Sequence, residues 1–227
     1  VFNIVVKDGD YGNKLVVSGS VFPFFDATTK KMQIGGDTYT LVSKMKDVGI
    51  DSLRDLIIGY ALMYYNTPYL WGGRSPYGID CSGLSQIVYR MAGIDLPRDA
   101  SQQVTLGQNY SFLEEAMPGD LAFFGDETGA ITHVGIIWEQ NRIIHASGRV
   151  RVDKIDHQGI FNEDLKRYTH NLKVIKRIKE IDFSMNPSFD FARDMFLMSF
   201  YTRGMSFVDM AYLRKKDLQN GVLSYRR

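Results

Sequence analysis

The amino-acid sequence predicts an α+β fold whose main domain has two helices first and a series of short strands after them. Helical patterns lie between residues 51 and 93, whereas the short apolar runs after Gly119 are separated by turns. Consecutive strands without intervening helices favour an antiparallel sheet over alternating β/α units. The 227 residues are 44% hydrophobic, which suits one ordinary domain with smaller additions.

Residues 1 to about 45 predict a small, strongly bent sheet or partial barrel. The runs that form it are β-branched or aromatic and lie between turn-prone segments: Ile4–Val6, Leu15–Val17, Val21–Phe22 and Tyr39–Leu41. The sequence leaves open whether this segment has no function of its own or frames a substrate pocket.

Two helices are predicted next. Asp51 or Ser52 can cap the first, which runs to about Tyr65, where Asn66-Thr67-Pro68 stops it. A glycine-rich loop, 71–76, then leads to Cys81. The second helix starts there, because the apolar residues that follow recur at helical spacing until Gly93.

The second half of the chain predicts short strands with turns between them. The apolar runs are Leu121–Phe124, Val134–Trp138, Arg142–His145 and Leu172–Ile175. Residues 183–227 differ, because they are rich in methionine and phenylalanine and fit two helices, Pro187–Arg203 and Ser206–Gly221. These helices either pack on the main domain as a hairpin or present a surface to a partner or a lipid.

Composition excludes several classes of protein. The net charge is +1, so nothing indicates a nucleic-acid-binding surface. The single cysteine can form neither an intramolecular disulfide nor a cysteine-rich zinc site. No apolar run approaches the roughly 18 residues of a membrane span. Because the chain begins at Val1 without a leader, we expect it to be processed or excised, with any targeting signal lost.

Cys81 is the candidate nucleophile. It lies at a predicted helix start, where unpaired N–H groups and the helix dipole lower the pKa of a thiol towards the thiolate. Its small neighbours, Ser82 and Gly83, leave room for a substrate. The alternative is a buried cysteine with a purely structural role.

A thiol nucleophile needs a proton acceptor, which is usually histidine. His133 and His145 lie on neighbouring apolar strands, whereas His157 and His170 lie in polar stretches and are predicted to be exposed. A three-residue turn would set Trp138 opposite Arg142 and Gly135 opposite His145, which makes His133 and His145 diagonal neighbours on one face. A two-residue turn would put them on opposite faces, and the sequence does not decide between the two turns.

A metal site is the weaker alternative for these histidines. His133 and His145 with Asp120 or Asp126 could hold zinc in principle, but no tight ligand motif such as H-E-x-x-H is present. We therefore expect neither a metal nor another cofactor.

Five blocks resemble the signatures of the NlpC/P60 cysteine peptidases, in order and spacing, over about residues 52–178. They are Tyr69–Gly73, Asp80–Leu84, Pro118–Leu121, His133–Ile136 and Ile144–Ala146. The resemblance implies a papain-like core that cleaves peptidoglycan stem peptides between γ-D-glutamate and a diamino acid. It implies Cys81 as nucleophile, His133 as general base and His145 as the group that orients His133, as in other triads.

Residues 96–103 are further similar to the γ-D-glutamyl-L-diamino-acid endopeptidases, also called dipeptidyl-peptidase VI, which carry bacterial SH3-like domains before the catalytic domain. That similarity implies that Asp99 binds the free α-amino group of an N-terminal L-alanine, and that Tyr69, Asp80 and Ser82 make further substrate contacts. A helix N-cap is the alternative for Asp99. Only about 45 residues precede the catalytic domain here, so an aromatic pocket wall from an SH3-like domain is either absent or lies upstream.

The expectation is thus a bacterial cell-wall peptidase with three parts. These are an SH3-like segment at 1–45, a catalytic domain at 51–180 and a helical extension at 183–227, with the cell envelope or periplasm favoured over the cytoplasm. The competing functions are an amidase or acyltransferase on the same scaffold, and a non-catalytic peptidoglycan-binding module.

Overall fold

The computed structural model describes residues 2–9, 12–42, 52–139, 141–178, 218–219 and 222–223. The chain forms two compact units, Val1–Glu180 and Ile181–Arg227. None of the helices in the described residues has the length and apolar character that a membrane crossing requires.

The chain begins with a four-stranded antiparallel sheet. Its strands are β1 (Phe2–Lys7), β2 (Asn13–Val17), β3 (Lys31–Ile34) and β4 (Asp37–Leu41), in the order β2-β1-β4-β3. Val5, Met32 and Leu41 form its small core. The predicted sheet is present, and its SH3-like character stays a prediction.

One element of this sheet was predicted in the wrong place. Val21–Phe22 is not a strand, and Phe22 instead packs on the core from a loop. Lys31–Ile34 is a strand despite its polar composition, since the Gly35–Gly36 turn pairs it with β4 and Met32 fills the core.

Three helices and a short strand pair follow. The helices are α1 (Leu53–Leu62), α2 (Cys81–Met91) and α3 (Ala100–Gln103), and β5 (Arg74–Ser75) pairs with β6 (Gly78–Ile79). Ser52 caps α1, because its hydroxyl accepts a hydrogen bond from the Asp55 N–H. The helix ends three residues before the predicted Tyr65. The segment Cys81–Tyr89 is buried, so α2 is a central helix and not a surface one.

The main sheet has seven antiparallel strands. They are β7 (Gln108–Tyr110), β8 (Leu121–Gly125), β9 (Ile131–Glu139), β10 (Arg142–Ser147), β11 (Arg149–Ile155), β12 (Gly159–Asn162) and β13 (Arg167–Arg177), in the order β12-β11-β10-β9-β8-β13-β7. Because β12 also pairs with β13, strands β8 to β13 close into a ring. The sequence predicted β8, β9, β10 and part of β13, and missed the others.

The ring has an apolar interior to which each of its strands contributes. Those residues, with Leu113 from a 3-10 turn, are Ala122, Phe124, Ile137, Ile143, Ile155, Ile160 and Ile175. Outside the ring α2 packs on β9 and β10. The start of α2 is thereby fixed beside the strands that carry the predicted histidines.

Four residues of the second unit are described. Leu218–Gln219 (β14) pairs with Val222–Leu223 (β15). The sequence predicted a helix up to Gly221, which is wrong over Leu218–Gln219. The rest of the predicted helical extension, with its partner surface, lies outside the described residues.

Candidate active site

Cys81 is the first residue of α2, as predicted. Asp80 is the N-cap, and its Oδ1 accepts a hydrogen bond of 2.6 Å from the Gly83 N–H. The Gly72 N–H donates to the other carboxylate oxygen at 2.8 Å, which ties the glycine-rich loop to the helix start. The thiol is 7% exposed. Local capping chemistry therefore decides where the nucleophile lies.

Arg98 neutralises the charge of the N-cap. Its guanidinium forms an ion pair with Asp80 and donates a 2.9 Å hydrogen bond to Ser82 Oγ. Asp80 and Ser82 thus hold the helix start, and both also line a hollow that contains Cys81. Their predicted contacts with substrate stay predictions.

Asp99 lies where both alternatives from the sequence place it, at a helix N-terminus and beside the Cys81 hollow, and its contact with a substrate amine stays a prediction. It is the N-cap of α3, and its N–H donates to Gln102 Oε1. The buried Gln103 side chain fixes α3 to α2 by donating to the Ser82 carbonyl at 3.0 Å. Asp99 is exposed and lines the Cys81 hollow, which has a volume of about 560 Å³.

His133 and His145 lie together on β9 and β10. Gly135 pairs with His145, as expected for a three-residue turn, but the pairing nearer the turn differs from that expectation. Arg142 pairs with Glu139 and not with Trp138, and a bulge then restores the register at Ile143. A Cβ on Gly135 would lie 2.6 Å from Ile143 Cδ1 and 3.0 Å from His145 Cβ, so only glycine leaves the space.

The two imidazoles are in hydrogen-bonding contact. His133 Nε2 lies 2.9 Å from His145 Nδ1, and both rings are buried. The backbone N–H of Val134, in the peptide group that joins His133 to Val134, lies near enough to the Cys81 thiol to lower its pKa. The nucleophile of α2 and the predicted base of β9 are therefore brought together.

Sequence reasoning missed Asp153 on β11. Its Oδ2 lies 3.0 Å from His145 Nε2, and the carboxylate is 3% exposed. Arg151 forms an ion pair with it at 2.8 Å and also contacts the exposed Asp164. Residues 150–155 mix apolar residues with three charged ones, so the sequence carried no local signal that Asp153 would be buried.

His170 was predicted to be exposed, and that prediction is wrong. Its ring is half-buried on β13 and stacks on His133, with 4.0 Å between the ring centroids. The polar sequence around it belongs to the part of β13 that pairs with β12. His157 is exposed as predicted and pairs with Glu114 at 3.0 Å.

Burial sets the protonation of the site. It raises the pKa of the Cys81 thiol, and the charge of Asp80 adds to this, although the Val134 N–H acts in the opposite direction. The prediction of a lowered thiol pKa is therefore wrong for the free protein. Burial also lowers the pKa of His133 well below its usual value, and His145 and His170 contribute. Both groups are therefore neutral in the free protein, and a neutral imidazole can accept a thiol proton.

A second hollow, of about 290 Å³, adjoins the first on the histidine side. Tyr69, His133 and His170 line it, and Thr132 lines both hollows. Burial raises the pKa of Tyr69, followed by the effects of Cys81 and Asp80. The predicted substrate contact Tyr69 is thus close to the nucleophile.

The described residues place three histidine nitrogens, from His133, His145 and His170, within 4.8 Å of one another. Both nitrogens of His145 already have partners. Asp120, a possible zinc ligand in the sequence analysis, instead forms ion pairs with Arg177 and Arg54. The expectation that no metal binds here stays a prediction.

Comparison with known proteins adds to this geometry. The NlpC/P60 family model matches residues 66–169. Dipeptidyl-peptidase 6 of Lysinibacillus sphaericus is 35% identical over 118 residues, which cover 50% of this chain and 41% of that relative. The γ-D-glutamyl-L-lysine dipeptidyl-peptidase of Bacillus subtilis (strain 168) is 38% identical over 92 residues, 40% of this chain and 31% of that relative. The chain thus spans less than half the length of either.

A solved structure shows the same fold. The crystal structure of an NlpC/P60 family protein from Bacillus cereus ATCC 10987 superposes with a TM-score of 0.61 at 22% identity, over 78% of this chain and 60% of that chain. The family match contains Cys81, His133 and His145. Residues 66–169 are therefore an NlpC/P60 family domain with the papain-like fold.

Proposed function

We propose that this chain is a cysteine peptidase that hydrolyses the bond between γ-D-glutamate and an L-diamino acid in peptidoglycan stem peptides. The observation that carries the proposal is the contact between His133 and His145 beside the Cys81 helix start. The name of the Bacillus subtilis relative supports the choice of bond. We infer from this substrate that the protein acts at the bacterial cell envelope.

The reaction starts from neutral groups. His133 takes the proton of the Cys81 thiol as the sulfur attacks the carbonyl carbon of the γ-glutamyl amide. The N–H groups of Cys81 and Ser82 interact with the sulfur at the helix N-terminus, and they can also donate to the oxyanion that forms. His133 then gives the proton to the departing amine, and a thioester remains. Water, activated by His133, hydrolyses the thioester and restores the thiol.

Charge in the Cys81 hollow supports a preference for a free N-terminal amine. Asp80 is neutralised by Arg98, so Asp99 is the carboxylate of this hollow that is left to pair with an ammonium group. An acetylated N-terminus would leave Asp99 without that partner. The charged side chains of the hollow, Asp80, Arg98 and Asp99, also argue against a lipid-like acyl substrate, which would favour an apolar hollow.

The test uses synthetic L-Ala-γ-D-Glu-L-Lys and L-Ala-γ-D-Glu-meso-diaminopimelate, each with a free or an acetylated N-terminus. Mass spectrometry should find the dipeptide and the free diamino acid from the unacetylated peptides, and no cleavage with Cys81→Ala. Cleavage by Cys81→Ala would refute the proposed nucleophile. Absence of cleavage by the wild type would favour a non-catalytic peptidoglycan-binding module.

The proposed preference for a free N-terminal amine is tested with separate variants. Asp99→Asn should reduce the preference for the free amine without abolishing cleavage. Asp95→Asn is the matched control, because Asp95 lies in the same segment but pairs with Arg90 at 2.9 Å and is not among the residues of the hollow. Equal cleavage of free and acetylated peptides by the wild type would remove the role of Asp99.

A further inference from the structure

The buried carboxylate of Asp153 lies next to His145, and both of its oxygens have polar partners. Asp153 Oδ2 meets His145 Nε2 at 3.0 Å and Arg151 Nε at 2.8 Å, and Oδ1 accepts from Arg151 Nη2 at 2.8 Å. Burial alone would raise the pKa of Asp153, but the hydrogen bonds from His145 and Arg151 hold it below its usual value. Asp153 is therefore an ionised carboxylate at neutral pH.

An ionised carboxylate can only accept hydrogen bonds. His145 Nε2 must consequently carry a proton, and in the neutral ring Nδ1 is then bare and can only accept. His133 Nε2, which lies 2.9 Å from that atom, must therefore be the donor. His133 Nδ1 is left without a proton, and it is the nitrogen that can take one from the thiol.

We propose that Asp153 is a positioning residue that fixes the tautomers of both histidines, so that His133 presents a bare Nδ1 to Cys81. The inference rests on the proposed peptidase function. Without the carboxylate, the contact between His133 and His145 can form in either direction. In the wrong direction Nδ1 of His133 carries the proton and cannot act as a base.

The hydrogen bonds that run from His133 through His145 to Asp153 also stabilise the imidazolium that forms during the reaction. When His133 has accepted the thiol proton, its Nε2–H still donates to His145, and His145 still donates to Asp153. The negative charge of Asp153 thus acts on the imidazolium through one intervening ring. The groups that face His145 are His133, His170, Asp153 and Arg151, and Asp153 is the anion among them.

The test compares Asp153→Asn with Asp164→Asn. Both carboxylates contact Arg151, but Asp164 is exposed and its contact at 2.9 Å is with Arg151 and not with histidine. Asp153→Asn should reduce kcat on the free tripeptide by about 100-fold or more with little change in KM, since general-base catalysis is lost in the wrong tautomer. Asp164→Asn should stay within about 3-fold of the wild type, as expected for a surface pair. Asp153→Glu should recover part of kcat.

Nitrogen-15 NMR of the imidazoles gives a readout that does not need activity. The wild type should show protonated Nε2 and bare Nδ1 on both His133 and His145, and Asp153→Asn should show a mixture or the opposite tautomer. A wild-type His133 with its proton on Nδ1 would overturn the proposal, even if Asp153→Asn failed to fold. Unchanged kcat and tautomers in a folded Asp153→Asn would also overturn it, and the peptidase function would stand. If the wild type cleaved no peptide, the NMR result would still decide the role of Asp153.

Discussion

At Cys81 two opposing effects act on one thiol. The helix N-terminus favours the thiolate, whereas burial and the neighbouring Asp80 favour the protonated form, and the net result is a raised pKa. In the proposed reaction the thiol therefore depends on His133 to remove its proton.

This balance predicts how the thiol titrates. In the wild type, the rate of iodoacetamide alkylation should rise at a pH above the ordinary thiol range. Asp80→Asn keeps a good N-cap but removes a negative charge, so its alkylation midpoint should move to lower pH. The alkylation rates are measured by mass spectrometry of samples quenched at successive times. Asp99→Asn, in the same hollow, should change the midpoint less, and a wild-type midpoint below the ordinary range would contradict the prediction.

Single residues differ in how far the sequence alone could predict them. Cys81 and His133 could be placed, because a helix start and a histidine in an apolar run are local patterns. Asp153 and His170 could not, since their positions depend on the pairing of β11 and β13, which the sequence did not reveal. The direction of the thiol pKa also escaped prediction, because burial is a property of the whole fold.

Among the elements, α2 depends on its close approach to the glycine-rich loop. A Cβ on Gly83 would lie 2.4 Å from the Gly73 carbonyl oxygen and 2.9 Å from Asp80 Oδ1. In α1, by contrast, nothing lies within 4 Å of a Cβ placed on Gly59. Position 83 therefore lacks room for a side chain, whereas position 59 has room for one.

Alanine at these two positions should have opposite effects. Gly83→Ala should lower the free energy of unfolding by about 1–3 kcal/mol, because the carbonyl of Gly73 must move, and it should displace Cys81. Gly59→Ala should raise it by about 0.5–1 kcal/mol, since alanine is the better helix former. Urea denaturation followed by circular dichroism measures both. A tolerated alanine at position 83 would show that the helix start is not held by this contact.

A buried ion pair joins the ends of β8 and β13. The Asp120 carboxylate accepts hydrogen bonds from Arg177 Nε at 3.1 Å and Nη2 at 2.8 Å, and Arg177 also lies over the Tyr110 ring. Asp120→Ala leaves the Arg177 charge buried without a carboxylate partner and should cost about 3–5 kcal/mol in the free energy of unfolding. The exposed pair Asp95–Arg90 is the control, and Asp95→Ala should cost less than about 1 kcal/mol. Equal costs in urea titrations would contradict the anchoring role.

Helices and strands with a clear apolar pattern were predictable from the sequence. Strands that form only because they pair with a neighbouring strand were not. The α2 pattern and the β8–β10 runs are strongly apolar, whereas β3, β7 and β12 are short or polar and become strands through their neighbours. The bulge at Trp138 shows the same limit. It sets His145 opposite Gly135 although Arg142 pairs with Glu139, a combination that neither of the two turns considered from the sequence contained.

The whole molecule should lose stability in acid because the fold keeps histidines neutral. Burial first, and then His145, lowers the pKa of His170 from 6.5 to about 4. The unfolded chain therefore binds a proton between these pH values that the folded protein does not bind, so stability falls as pH decreases from 6.5 towards 4. His170→Gln should reduce the proton uptake on unfolding by about one.

Urea midpoints measured at several pH values between 4 and 7 test this. His157→Gln is the control, since His157 is exposed and lies outside the cluster, and it should keep the wild-type slope. An unchanged slope in His170→Gln would mean that the half-buried ring titrates normally.

The closed ring of β8 to β13 has a consequence for how a peptide can be recognised. Many peptide-binding proteins add the ligand as an extra strand along an open sheet edge, through backbone hydrogen bonds that ignore side-chain chemistry. In this ring each strand has a neighbour on both sides over at least part of its length, which limits that mode of recognition there. The proposed substrate, a peptide with a γ-linkage and a D-configured centre, would then be selected by the side chains that line the Cys81 hollow.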